Sequence, residues 1–426
     1  MPAPLRVAVV ARAVMPLHGY GGLERHVHDL ARHLAARGVI VTLITPPPGP
    51  AWTGSSADPF GSPQINLRHV PYLTFPFAGR RGTTVIDRST AYLLFGWRAG
   101  RAALSLAREG RVDIVHGLGA SVLGYALARE RPAPFVFNPQ GLEEFGASGP
   151  SQALLKRIGY LPLRAAVRAC ARVADRIVAT DRALEPVVIR HLHPRPGQLC
   201  TVPNGIDLTQ ADALAGAGDG HRIRRQHGIT PDEFVLLSVG RLEENKGFDQ
   251  LAEALGRASQ PGRALATRTW RWVLVGAGPF ARDITRAAER HGVADRLLMA
   301  GRATDADVHA WYEAASLFVH PTRYEGSSIV TLEAMAHRRA VVATRAGGLP
   351  DKVRTGVNGW LVEPGDASVL ARAVEEAAEA DPARLAAMGE ESRQIVARTF
   401  AWPVIVEHQI AIYRELLETT VIGGKA

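Results

Sequence analysis

Two glutamates eight positions apart, Glu325 and Glu333, stand in the run HPTRYEGSSIVTLEAMAHRRAVVATRAGGLP. Glu325 falls in the loop after an expected strand, 316–320. Glu333 falls inside an expected helix that begins at Ser327 or Ser328. A helix start made of small residues offers unpaired backbone N–H groups and so binds anions. Glu325 cannot grip a phosphate itself, because like charges repel; it needs a hydroxyl-rich group beside the phosphate. Glu333 lies among Ile329, Leu332 and Ala336, where a carboxylate is costly unless hydrogen-bonded. A ligand joining a diphosphate to sugar hydroxyls and ribose hydroxyls meets all three demands, which is the make-up of a nucleotide sugar.

Two cations, Arg241 and Lys246, follow another expected strand in GRLEENKG. Positive charge at a strand end suits a diphosphate leaving group, which gains negative charge as its bond breaks. The chain has only four lysines, Lys156, Lys246, Lys352 and Lys425, among 50 basic residues. A lysine in so arginine-biased a chain points to a need for a compact ammonium. His116 ends the expected short strand of DIVHG and is followed by glycine, which places an imidazole at the top of a parallel strand. Gly21-Gly22 precedes a helix that Glu24 opens, and Asn138 ends a further strand.

Strand-like and helix-like segments alternate along nearly the whole chain, which reads as α/β with parallel sheets. Residues 6–11, 39–45, 114–116, 135–138 and 176–180 read as strands of a first half, and 24–37 as an amphipathic helix. The small, polar stretch ADALAGAGDG at 211–220 reads as a linker. The pattern then restarts with strands at 234–239, 272–275, 297–300, 317–320 and 341–343. The segment 402–417 closes the chain as a helix. The expected domains are 1–200, 201–400 and a terminal helix, 401–426, that packs back on the first domain. Two doubly wound sheets bind ligands beyond the carboxyl ends of their strands, here in a cleft between the domains.

At 426 residues the chain is expected to form two or three domains. No apolar run is long enough for a transmembrane helix, and the N-terminal run broken by Arg12 reads as a buried strand rather than a signal peptide. Two cysteines, Cys170 and Cys200, make neither a disulfide framework nor a metal cluster, which fits a reducing cytoplasm. The net charge of +9 is uneven: residues 1–205 carry +12 and the remainder −3. A basic half calls for an anionic partner. The segment 72–111 interleaves arginines with Phe75, Phe77, Tyr92, Phe95 and Trp97, which suits the inner face of an anionic membrane carrying a lipid-linked acceptor. No nucleic-acid-binding signature is present.

In order, GGLE (Gly21–Glu24), DIVHG, PNGID (Pro203–Asp207), GRLEENKG (Gly240–Gly247) and EGSSIVTLEAM (Glu325–Met335) make the chain resemble glycosyltransferase family 4. The resemblance implies the GT-B fold and retaining transfer of a sugar from a UDP- or GDP-linked donor to a hydroxyl acceptor. It places Arg241 and Lys246 on the donor phosphates, His116 near the reacting carbon, Glu325 on the sugar hydroxyls and Glu333 on the ribose diol. The backbone N–H groups of Ser328, Ile329 and Val330 would take the distal phosphate, and Gly21-Gly22 would face the diphosphate or the acceptor. Base contacts are expected around Gly276 and Arg302, and acceptor contacts at Glu24 and Asn138. No metal or other cofactor is expected. Ser327-Ser328 stands where the family often has Phe-Gly, which alters the wall of the sugar pocket. A non-catalytic sugar-nucleotide sensor on the same fold is the alternative. A dinucleotide-dependent oxidoreductase rests only on the partial fingerprint Gly276-Ala277-Gly278.

Overall fold

The computed structural model describes residues 3–19, 21–49, 52, 59–74, 84–145 and 158–423. The chain divides into two compact units, Met1–Gly205 with Trp402–Ala426, and Ile206–Ala401.

The first unit is built on seven parallel strands, β1 (Arg6–Val10), β2 (Ile40–Thr45), β3 (Ile65–His69), β4 (Ile114–Leu118), β5 (Phe135–Asn138), β6 (Arg176–Ala179) and β7 (Leu199–Thr201). Their order is β3-β2-β1-β4-β5-β6-β7. The second unit has six parallel strands: β8 (Phe234–Val239), β9 (Trp270–Val275), β10 (Leu297–Gly301), β11 (Leu317–His320), β12 (Val341–Thr344) and β13 (Gly359–Val362). Their order is β10-β9-β8-β11-β12-β13. Runs such as RVAVV and FVLLSV are apolar almost throughout because helices cover both faces of each sheet. Strand order reverses between β1 and β4 in one sheet and between β8 and β11 in the other. Such switch points open a crevice at the strands' carboxyl ends.

The C-terminal helix, Trp402–Gly423, belongs to the first unit. Trp402, Ile405, Val406, Ile410, Tyr413 and Leu416 recur at helical spacing and are buried with Val9, Leu30 and Ile114. Each such side chain contributes about 1.5–3 kcal/mol on burial. Trp402 also donates its indole N–H to Asp29 at 3.3 Å. Arg37–Glu407, at 2.7 Å, and Arg176–Glu415 fasten the helix's outer side.

Three expectations are corrected. The stretch 211–220 is no linker: all of it but the caps Ala215 and Gly216 lies in helices Leu208–Leu214 and Ala217–Gln226. Asp207 caps the first through the Gln210 N–H, and the Asp219 carboxylate accepts from the N–H of Gly216 at the start of the second. The boundary falls at Gly205/Ile206 rather than 200/201, because β7 is an edge strand of the first sheet. β4 runs two residues past His116, which therefore sits inside the strand, paired in register with Val9 and Val136.

Among the described residues no helix is long and apolar enough to cross a membrane. Both cysteines are free, and burial pushes the Cys170 thiol up to about 12.

Candidate active site

The second unit's site forms at its switch point. Arg241 and Lys246 lie on the loop after β8, and His320 is the last residue of β11. The two loops are fastened to each other. Thr322 Oγ1 donates to the Asn245 carbonyl at 3.0 Å, and Arg323 donates to Asp249 at 2.7 Å. This brings Lys246 Nζ to 2.7 Å from Glu325 Oε2, while His320 Nε2 lies 2.8 Å from the same oxygen. The Gly326 N–H donates to the other oxygen at 3.2 Å. The Lys246 and Glu325 side chains are only 14% and 13% exposed.

Burial pushes the Glu325 carboxyl up, but Lys246 and then His320 outweigh it and hold it well below the usual carboxylate range. Burial also lowers His320, against the pull of Glu325 and with that of Lys246, so its ring is neutral. A neutral ring facing an ionised carboxylate must donate from Nε2. That leaves His320 Nδ1 a buried acceptor with no partner among the described residues. Lys246 spends one of its three N–H donors on Glu325. The Arg241 side chain is 74% exposed and among the described residues is held only by Glu243 at 3.0 Å, a surface pair worth about 0–1 kcal/mol.

Ser328 caps helix Ile329–Ala336, its Oγ 3.3 Å from the Thr331 N–H. Ile329 and Val330 form the first turn, whose N–H groups have no intrahelical acceptor. Glu333 is buried and accepts from Tyr312 Oη at 2.9 Å, the hydrogen bond its position requires. Gly347 lies against the Glu325 loop at φ 52°. A Cβ there would meet the Glu325 carbonyl at 1.8 Å, so only glycine lets the GGLP loop approach. Gly276 is held the same way, with its Cβ position 1.9 Å from the Gly240 carbonyl. That glycine is demanded by loop packing after β8 and β9. Arg302 is exposed just after β10.

In the first unit, Gly21 is the N-cap and Gly22 the first residue of helix Gly22–Ala36. The Glu24 carboxylate folds back to within 2.3 Å of where a Gly21 Cβ would stand, so it occupies the helix start. Asn138 is buried and its Oδ1 accepts from the Gln140 N–H at 3.0 Å.

His116 is buried inside its strand rather than open at the strand's end. It is 1% exposed, its Nδ1 lies 2.6 Å from Tyr413 Oη, and Nε2 has no partner. Burial, with His26 nearby, pushes it down to about 3. The imidazole holds the C-terminal helix to the sheet. Replacing Tyr413 with Phe leaves Nδ1 unpaired in the core. It should cost about 1–3 kcal/mol in urea denaturation with kcat unchanged; a loss of kcat at unchanged stability would restore a catalytic role for His116.

Sequence reasoning missed His320, although a strand-end histidine five residues before Glu325 was a usable signal. It also missed Arg12, two residues beyond β1 at the first switch point. The Arg12 guanidinium lies 5.6 Å from the Tyr92 ring centre and makes no hydrogen bond or ion pair among the described residues. Tyr92 Oη in turn lies 3.2 Å from Ser121 Oγ. On the neighbouring β5 loop, Gln140 Nε2 is buried without a partner among the described residues, on left-handed backbone at φ 60°.

Two family models match this chain: Glycosyltransferase Family 4 over residues 20–210, and Glycosyl transferases group 1 over residues 233–380. The chain is 30% identical to D-inositol 3-phosphate glycosyltransferase 1 of Catenulispora acidiphila, over 99% of its own length and 98% of that protein's. Among solved structures it is similar to sucrose-phosphate synthase from Thermosynechococcus elongatus, with a TM-score of 0.76 at 23% identity over 97% of this chain and 100% of that one. It is also similar to Anabaena HepE in complex with UDP-glucose, with a TM-score of 0.68 at 19% identity over 97% and 100%. These structural likenesses give the fold as GT-B.

Proposed function

The chain belongs to glycosyltransferase family 4, and from that premise we propose that this glycosyltransferase moves a sugar, with retention, from a nucleoside-diphosphate donor to a hydroxyl of an anionic polyol. The observation that carries the donor half is the ionised Glu325, gripped by Lys246 and His320 directly ahead of helix Ile329–Ala336.

In this reading Glu325 accepts hydrogen bonds from the sugar hydroxyls. It is too acidic to serve as a proton donor. The two spare N–H groups of Lys246, the exposed Arg241 and the first-turn N–H groups of Ile329 and Val330 take the diphosphate. They stabilise the charge that grows as the bond from the anomeric carbon to the phosphate oxygen breaks. The acceptor oxygen bonds to that carbon on the same face, and its proton passes to the departing phosphate. The protein supplies the positive charge itself, so turnover is expected to survive EDTA. A loss reversed by Mg²⁺ would refute this.

The acceptor half is supported by Arg12. A guanidinium with five donors and no acceptor among the described residues, set at a sheet's switch point, fits a phosphate or carboxylate. The curated relative is named for D-inositol 3-phosphate, a polyol of that class. Arg12→Met is expected to raise KM for a phosphorylated acceptor about tenfold to a hundredfold and leave donor affinity unchanged. An equal effect on an unphosphorylated acceptor would sink the assignment.

The deciding experiment screens UDP-, GDP- and ADP-sugars by thermal shift and slow donor hydrolysis, then reads the product anomer by NMR. One donor that stabilises the protein and releases its nucleotide, with an unchanged anomeric configuration in the product, is the expected result. No response to any donor would favour a sugar-nucleotide sensor or a different activated sugar; an inverted product would refute retention.

A further inference from the structure

Nine large apolar side chains lie open on the described surface, and eight belong to the first unit. Six of these, Ile86, Leu94, Trp97, Leu127, Ile158 and Leu161, sit on one layer of helices or within three residues of a helix end in it. That layer is Thr84–Ser89, Ala91–Arg108, Leu123–Ala126 and Leu161–Val173, which pack against one another over one face of the first sheet. Leu94 and Trp97 are one turn apart on the same side of their helix. Gly124 sits so close to the Trp97 carbonyl that a Cβ would approach it to 1.9 Å, so the helix that Leu127 follows packs directly on the Trp97 helix. Ser89 Oγ donates to the Gly159 carbonyl at 2.6 Å and joins the Ile86 helix to Ile158 and Leu161.

Asp87, in helix Thr84–Ser89, accepts from Tyr72 Oη and is the one carboxylate within these four helices; the charge on the two longest is all positive. Helix Ala91–Arg108 carries Arg98, Arg101 and Arg108, and helix Leu161–Val173 carries Arg164, Arg168 and Arg172; neither contains a carboxylate. Arg98, Arg101, Arg108 and Arg172 form no ion pair among the described residues, and Arg101 continues the exposed stripe of Leu94 and Trp97. Unpaired arginines beside an exposed indole and leucines match a lipid interface. There apolar side chains enter the headgroup boundary and guanidinium groups meet anionic phosphates.

We infer that this helical layer docks the enzyme on an anionic lipid surface. The inference goes beyond the donor chemistry and stands or falls separately from it.

The test is co-sedimentation of the full chain with phosphatidylcholine vesicles, with and without phosphatidylglycerol, beside donor hydrolysis in solution. Binding is expected only with phosphatidylglycerol, weakening as salt is raised, with a blue shift in tryptophan emission that Trp97→Ser removes. Arg98→Ser with Arg101→Ser should weaken binding about thirtyfold. Leu94→Ser with Trp97→Ser should weaken it comparably, and Val357→Ser in the second unit should change nothing. All these positions are on the surface, so circular dichroism and donor hydrolysis should stay as in the parent protein. No vesicle binding, equal binding to uncharged vesicles, or binding untouched by these substitutions would overturn the inference. So would a dimer in solution that Leu94→Ser with Trp97→Ser dissolves, because the occupant would then be a second copy. Vesicle binding without any donor response would leave this inference standing and remove the donor assignment instead.

Discussion

Replacing Lys246 with methionine is expected to lower turnover about a hundredfold to a thousandfold, the range for losing one group that stabilises a transition-state charge. It should also destabilise the fold by about 3–5 kcal/mol, because Glu325 is left buried without its cation. The two effects separate in a double variant. Adding Glu325→Gln removes the stranded charge, so stability should return by most of that amount while turnover stays low. Urea denaturation and single-turnover kinetics on the two single variants and the double variant measure both. If the double variant recovers activity along with stability, Lys246 serves only to neutralise Glu325 and does not meet the leaving group. If Lys246→Met keeps full turnover, the phosphate assignment fails outright.

Acid should destabilise the first unit well before its carboxylates titrate. Burial pushes His26 down to about 4, with only Asp29 pulling the other way, and pushes His116 down to about 3. Neither ring nitrogen of His26 has a partner among the described residues, and its ring lies 5.7 Å from that of Trp402 on the C-terminal helix. Both folded-state values lie below the ordinary histidine value of 6.5, so the unfolded chain binds more protons between 6.5 and the folded values. Their stability contribution is therefore complete above pH 6.5 and is lost progressively as the pH falls from there toward 4 and 3. At pH 5 each group should have cost about 2 kcal/mol. Denaturation midpoints at pH 7.5 and 5 check this, with His26→Phe expected to flatten its share without loss at pH 7.5. A midpoint that does not move between those pH values would contradict it. Glu325 acts in a lower window: its depressed value contributes stability above the ordinary carboxylate range, lost only as the pH falls below about 4.

The parallel sheets were legible because strands buried on both faces must be apolar almost throughout, as β1, β8 and β12 are. The helix start at Ser328 was legible from its hydroxyl ahead of an apolar run. β3 and β13 left weaker traces. β3 is a half-exposed edge strand, and β13 is four residues long and begins with glycine. Helices 208–214 and 217–226 were misread because small residues resemble a linker until their caps are recognised.

The sequence by itself determined two parallel α/β units, the position of Glu325 before a helix N-terminus, and cations after β8. These follow from local patterns of period, cap and glycine that need no distant partner. Only the tertiary structure decided what those groups do to one another. Lys246 and Glu325 lie 79 residues apart in the chain, and their contact depends on β8 and β11 being neighbours at the switch point. His116 shows the same limit from the other side. In sequence it is a strand histidine beside a glycine; in the fold a tyrosine 297 residues away covers it. Burial and pairing set the charge state of both groups, and those are properties of the packed chain.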